Sequence, residues 1–198
     1  PNGEKYPSVT TILGAAPKPW LEEWKKALGK EKARKETERC ATRGTAMHEI
    51  CEAFINNVEN PTKGFDVLPI KLFNKVRIAL KKHVNNIRAQ EVPLWSAMLK
   101  TAGRVDLIAE YDGILSVIDF KTANNIKKKE EILDYFLQCT AYAIMYNELY
   151  GTAIEDIVVV IAVEKGLMPL VFKDKIDKYV EPLLIRIDEF YKKQGTKL

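Results

Sequence analysis

A chain of 198 residues that is 46% hydrophobic suits one globular domain with a proper core. It contains no apolar run of about 18 residues, which excludes a helical membrane span, and its three cysteines, Cys40, Cys51 and Cys139, are too few and too scattered for a disulfide framework. The formal charge of +4 permits a polyanionic partner without requiring one.

Pro1-Asn2-Gly3-Glu4 carries neither an apolar leader nor an initiator Met, consistent with residues absent or trimmed there. Pro19 at a first helical turn, followed by Trp20, Leu21, Trp24 and Leu28, predicts a helix stopped by Gly29. A second helix is expected from Glu31 to Cys40. A third, about Thr42 to Asn56, carries Met47, Ile50, Cys51, Phe54 and Ile55 at helical spacing. Another follows from about Pro69 to Arg88. The period then changes. Val92 to Leu99, interrupted by Pro93, predicts a short edge strand, and Arg104–Tyr111 and Ile114–Lys121 alternate as strands around Asp112-Gly113, a strong two-residue hairpin signal. Glu130–Tyr150 returns to helix and stops at Gly151. Asp156–Glu164 is a β-branched strand. A short strand near Leu170–Phe172 and an amphipathic helix, Ile176–Tyr191, complete the chain.

The predicted fold class is α/β (α+β), a small mostly antiparallel or mixed sheet flanked by helices with a helical amino-terminal region packed on it. One domain spans 1–198, with 1–90 mainly helical and 91–198 forming the sheet core. Each cysteine falls in a helical pattern and reads as a small packed hydrophobe, which points to a reducing compartment, the cytoplasm. The lysine clusters Lys25-Lys26, Lys30 to Lys35, Lys81-Lys82 and Lys127 to Lys129 are either solvated helix faces or a phosphate-binding surface.

The stretch Val-Ile-Asp-Phe-Lys-Thr, Val117 to Thr122, sets an acid and a base two apart on one strand face. If Asp112-Gly113 are the loop, Tyr111 pairs with Ile114, and counting outward places Asp106 opposite Asp119 and Arg104 opposite Lys121. Two carboxylates so placed among Val105, Leu107, Ile118 and Phe120 need a shared proton or a cation. A divalent metal with oxygen ligands answers this best, and a structural Asp–Lys ion pair is the plainer alternative. Taken alone, His48 fits a satisfied core or surface histidine, and Gln138 and Tyr142, four apart on one helix face, fit ordinary packing. The two cations Arg104 and Lys121 suit either a bound phosphate or a salt-bridge lattice. Trp20, Trp24 and Trp95 are candidates for stacking on unpaired bases or for core packing.

Gly-Arg-Val-Asp (Gly103 to Asp106) followed by Asp119-Phe120-Lys121 resembles the PD-(D/E)XK nucleases. Arg-Gly-Thr-Ala-Met-His-Glu-Ile-Cys-Glu (Arg43 to Glu52) and Gln-Cys-Thr-Ala-Tyr (Gln138 to Tyr142) resemble the helix motifs of the RecB-like branch. The opening Tyr6 to Leu13, with the Trp20 region, is similar to the phage-type and mitochondrial-genome-maintenance-type exonucleases of that branch. The resemblance implies a restriction-endonuclease-like core and a metal-dependent DNA exonuclease acting on ends or single strands. Its alternatives are a structure-specific or restriction-type endonuclease and a non-catalytic nucleic-acid-binding recombination partner. It further implies that His48, Asp106, Asp119 and the carbonyl of Phe120 hold one or two Mg²⁺ or Mn²⁺ ions, and that His48, Asp106, Asp119 and Lys121 are catalytic. Gln138, Tyr142, Arg43 and Arg104 would bind substrate, with Glu52 and Glu91 supporting the site from behind. DNA, and a recombination or replication protein, are the implied partners, in the host cytoplasm for a phage-encoded chain. Some relatives carry an iron–sulfur cluster on four cysteines; with three, all in helical patterns, none is expected here.

Overall fold

In the computed structural model, which describes residues 3 and 5–195, six helices and five strands follow one another. They are α1 (Val9–Gly14), α2 (Pro19–Leu28), α3 (Lys30–Ile55), α4 (Val67–His83), β1 (Val84–Ser96), β2 (Thr101–Tyr111), β3 (Ile114–Ala123), α5 (Leu133–Tyr150), β4 (Asp156–Val163), β5 (Leu170–Lys175) and α6 (Asp177–Lys193). The expectation placed on Pro1, Asn2 and Glu4 lies outside the described residues. The strands form one mixed sheet in the order β1-β2-β3-β4-β5, in which only β3 and β4 run parallel. A parallel pair needs a long crossover, and α5 supplies it.

The sheet is covered on both faces. On one, α1, α5 and α6 bury Val9, Phe136, Leu137 and Leu183 against Val105, Ile108 and Val117. On the other, α3 and α4 bury Met47, Ile50, Leu72 and Phe73 against Leu107, Ile118 and Phe120. The hairpin forms as predicted, with Tyr111 opposite Ile114. Asp112 (φ 52°) and Gly113 (φ 81°) both adopt the positive φ that a two-residue turn matched to strand twist requires.

Four boundaries differ from the sequence reading. The two helices expected across 31–56 are one, α3. Its first half buries only Ala33, which hides the apolar period; ion pairs of Arg34 with Glu31 and Glu38, and of Arg39 with Glu36, carry the helix through. Helix α4 ends at His83 rather than Arg88, because Val84 is already extended (φ −99°, ψ 128°) and Val84 and Asn85 pair with Tyr111 and Glu110. The sheet therefore begins inside the segment expected to be helical. Pro93 does not interrupt β1: it pairs with Arg104 on an edge strand, where a missing N–H costs no ladder bond. Helix α1 was unassigned from periodicity, being only six residues long, although Ser8 caps it by accepting the Thr11 N–H at 3.1 Å.

Phe73 is 1% exposed and meets Phe54 edge-on with ring centroids 5.4 Å apart. Phe73→Ala is expected to lower unfolding free energy by about 3–5 kcal/mol in urea titration. A loss under about 1 kcal/mol would mean that this face of the sheet is not held by the α3–α4 core.

Candidate metal centre

The ladder between β2 and β3 stops at Leu107 and Ile118. Beyond it, β2 stays with β1 from Val105 to Thr101, while β3 stays with β4 from Asp119 to Ala123. The two hairpin strands thus part at Asp106 and Asp119. Alternation along β2 breaks at the same level, since Leu107 packs with the α3–α4 core and Val105 with the α5 core. Opposite, on β1, Glu91 stands between the Gln90–Leu107 and Val92–Val105 pairs with φ 49°. A left-handed glutamate costs on the order of 1–3 kcal/mol, and such irregularities re-aim a side chain.

Helix α3 brings His48 to this fork. Its Nε2 lies 2.7 Å from the carbonyl oxygen of Phe120, and since a carbonyl only accepts, Nε2 is the donor. Its Nδ1 is 3.6 Å from Asp106 Oδ1. Asp106 Oδ2 accepts the Phe120 N–H at 2.8 Å, so a side chain satisfies the main-chain donor that the ladder has released. Ligand atoms of His48, Glu91 and Asp106 all lie within 4.8 Å of one another. With Gly44, Thr45, Glu49, Glu52 and Arg104 these residues line a cleft of about 450 Å³. An imidazole nitrogen with carboxylates and a carbonyl oxygen close by is a donor set that fits a divalent cation. Electrostatics agree: burial, then the charge of Asp106, pushes Glu91 up to about 7, a penalty that a cation removes.

Asp119 is 1% exposed. Its Oδ1 accepts from Lys121 Nζ at 2.5 Å, and its Oδ2 is buried with no hydrogen-bond partner. Burial pushes the Asp119 carboxyl above the usual range, opposed by Lys121. Burial would lower the lysine, yet the carboxylates of Asp119 and Asp106 hold it above its ordinary value. The ammonium also sits 5.3 Å from the centre of the Tyr135 ring. From α5, Gln138 Nε2 donates to the Tyr142 hydroxyl at 3.3 Å. Tyr142 presses so closely on β2 that a Cβ at Gly103 would meet its Cε1 at 2.7 Å. That contact explains the glycine.

Several expectations change. Asp106 and Asp119 are not a same-face ladder pair: Asp106 turns to His48 of α3, while Asp119 follows Val117 toward α5. Arg104 faces Pro93 rather than Lys121, and is exposed on the cleft wall. Arg43 is buried and ion-paired with Glu164, so it presents no charge to a phosphate at the surface. Glu91 stands within 4.8 Å of His48 and Asp106, close enough to share a cation with them. Glu52 lines the cleft one turn from His48, its main-chain oxygen accepting from Gln90 Nε2 at 3.1 Å. Lys127 and Lys129 pair with Glu131 and Asp174. Trp20 is 64% exposed at a second cleft of about 620 Å³ shared with Tyr135, Lys127 and Arg186, and Trp24 and Trp95 are half-buried. Cys40 and Cys51 lie on α3 and Cys139 on α5, all as free thiols. Thr45 and Glu49 went unnoticed in the sequence, although their four-residue spacing beside His48 and Glu52 marks one helix face.

Gly103→Ala is expected to cost about 1–3 kcal/mol in urea titration, and most of the cost should vanish when Tyr142→Ala is added. Additive losses would disprove the clash. In EDTA, the folded-state value of Glu91 near 7, against its ordinary 4.5, means that the folded protein binds the extra proton between those values. The stabilisation is full below about 4.5 and is lost as pH rises through 7. Wild-type stability should therefore fall more steeply from pH 5 to pH 8 than that of Glu91→Gln; equal slopes would refute the buried acid.

Residues 71–178 match the PD-(D/E)XK nuclease superfamily. The chain is 28% identical to mitochondrial genome maintenance exonuclease 1 of Mus musculus over 95% of its own length and 60% of the relative's. It is 27% identical to the Homo sapiens protein of that name over 96% and 60%. The chain thus spans about three fifths of the length of these curated relatives. The crystal structure of a Eubacterium rectale protein superposes with a TM-score of 0.52 at 9% identity, covering 77% of this chain and 68% of that one, and shares the fold. The family match covers more than half of the chain and takes in Asp106, Asp119 and Lys121 at the fork of the hairpin. This chain belongs to the PD-(D/E)XK nuclease superfamily.

Proposed function

We propose that the chain is a metal-dependent deoxyribonuclease, an exonuclease that hydrolyses phosphodiester bonds at DNA ends or in single strands. It would serve DNA recombination, repair or replication, with residues 1–198 acting as one nuclease domain. The observation that carries this reading is the convergence of His48, Glu91 and Asp106 in one cleft, beside a buried Asp119 whose Oδ2 has no partner and which holds Lys121. The names of the mouse and human relatives favour an exonuclease over other nucleases of the superfamily.

His48, Glu91, Asp106, Asp119 and the carbonyl of Phe120 would hold one or two Mg²⁺ or Mn²⁺ ions, the imidazole making Mn²⁺ an able substitute. A cation bound there would supply a lowered pKa for its water and a counter-charge for the phosphate. Lys121, kept protonated by Asp119, orients the attacking water or stabilises the charge that grows on the phosphate oxygens. Arg104, exposed on the cleft wall, takes a phosphate oxygen, and the half-buried Gln138 meets the backbone from α5; Tyr142, buried in the α5 core against Gly103, accepts from Gln138 and orients it rather than touching DNA. Trp20, exposed near Tyr135, offers a surface for unpaired bases. Binding is then salt-sensitive and largely independent of sequence.

Linear and covalently closed DNA incubated with Mg²⁺, Mn²⁺ or EDTA tests the reading. Only the linear form should be digested, only with metal, and Lys121→Ala should slow the reaction about 100-fold or more. Cutting of the closed circle would assign a structure-specific or restriction-type endonuclease. Tight DNA binding without hydrolysis under any metal would assign a non-catalytic partner.

A further inference from the structure

Arg43 lies five residues before His48 on α3, its side chain only 4% exposed. Its Nη1 donates to Glu164, to which it is ion-paired, and to Asn124 Oδ1 at 2.6 Å; its Nη2 donates to Thr122 Oγ1 at 3.1 Å. Arg39 Nη1 reaches the same Glu164 oxygen at 2.7 Å, and Lys75 from α4 donates to the Val163 carbonyl at 2.5 Å. All these acceptors sit at the carboxyl ends of the parallel pair, Thr122 and Asn124 at the end of β3, Val163 and Glu164 at the end of β4. Thr122 directly follows Lys121. One buried guanidinium therefore ties the helix that carries His48 to the strand that carries Asp119, Phe120 and Lys121.

Apolar packing of Met47, Ile50 and Cys51 sets which face of α3 meets the sheet, but it is non-directional and tolerates sliding along the helix axis. A planar fork with fixed donor directions does not. His48 stands roughly 7.5 Å along the axis from Arg43, so a slip at the fork is passed on to the imidazole. We propose that Arg43 is a positioning residue: by locking α3 to the ends of β3 and β4, it sets His48 against the Phe120 carbonyl and so tunes the affinity of the cation site. The proposal rests on the metal-dependent reading above.

The test is Mn²⁺ affinity of the whole chain by calorimetry, with thermal unfolding of each variant as the control for folding. Arg43→Lys keeps the charge and loses the fork, and should weaken Mn²⁺ binding about tenfold. Thr122→Val, near-isosteric and removing one acceptor, should weaken it about threefold. In a His48→Ala background, Arg43→Lys should add no further loss. A purely structural arginine would lower the melting temperature and leave affinity alone. The proposal is overturned if the folded variants bind Mn²⁺ as wild type does, or if the loss persists undiminished without His48. Should Arg43→Lys fail to fold, Thr122→Val decides alone. Wild type that does not bind Mn²⁺ overturns the metal reading, and Arg43 with it; wild type that binds while its variants match it overturns the Arg43 role only.

Discussion

Where β2 and β3 part, the carboxylate of Asp106 accepts the N–H of Phe120 and takes over from the main chain. Had the ladder continued, that N–H would have needed no side chain and the sheet would have closed over the site. The released Phe120 carbonyl is equally in need of a partner, and it accepts from His48. One interruption of pairing thus creates the gap, orients one acid and exposes a carbonyl to the helix opposite. The left-handed Glu91 and the break in alternation between Val105 and Leu107 follow at the same level of the sheet.

That gap sits between two separate hydrophobic cores. The α5 core and the α3–α4 core each hold one side of the sheet, and the side chains of the site belong to both. His48 comes from the helix on one face, while Tyr135, Gln138 and Tyr142 come from the helix on the other. Asp119 and Lys121 point toward α5, and Asp106 toward α3. The low polarity of both cores makes the charges consequential. Burial lifts the acids Glu91 and Asp119, while the acids lift Lys121, so the site gathers negative charge with one internal cation to offset it. A divalent cation is a counter-charge that this donor set can take.

Much of this was legible beforehand. Asp112-Gly113 announced the hairpin, and its register held as far as Leu107 and Ile118 because a two-residue turn leaves no freedom in pairing. A small sheet, mostly antiparallel or mixed, a helix over 130–150 and the helical placement of His48, Gln138 and Tyr142 followed from period and punctuation; that this helix is the crossover of a parallel pair did not. Illegible were the continuity of α3, whose exposed half is held by ion pairs rather than an apolar stripe, and the early start of β1, where Val84 and Asn85 already pair with β2 directly after His83. Arg43 misled for a related reason: an arginine in a motif looks the same whether it meets a phosphate or a half-buried glutamate 121 residues away.

By itself, then, the sequence determined most of the secondary elements, the hairpin register next to the turn and the residue types at the site, because these depend on local periodicity, turn stereochemistry and near neighbours along the chain. Only the tertiary structure decided where the register stops, that Glu91 joins His48 and Asp106, that Asp119 faces the other core, and that Arg43 serves as an internal tie. Those outcomes depend on which backbone groups two distant segments leave unpaired when they pack, and local propensity carries no record of that.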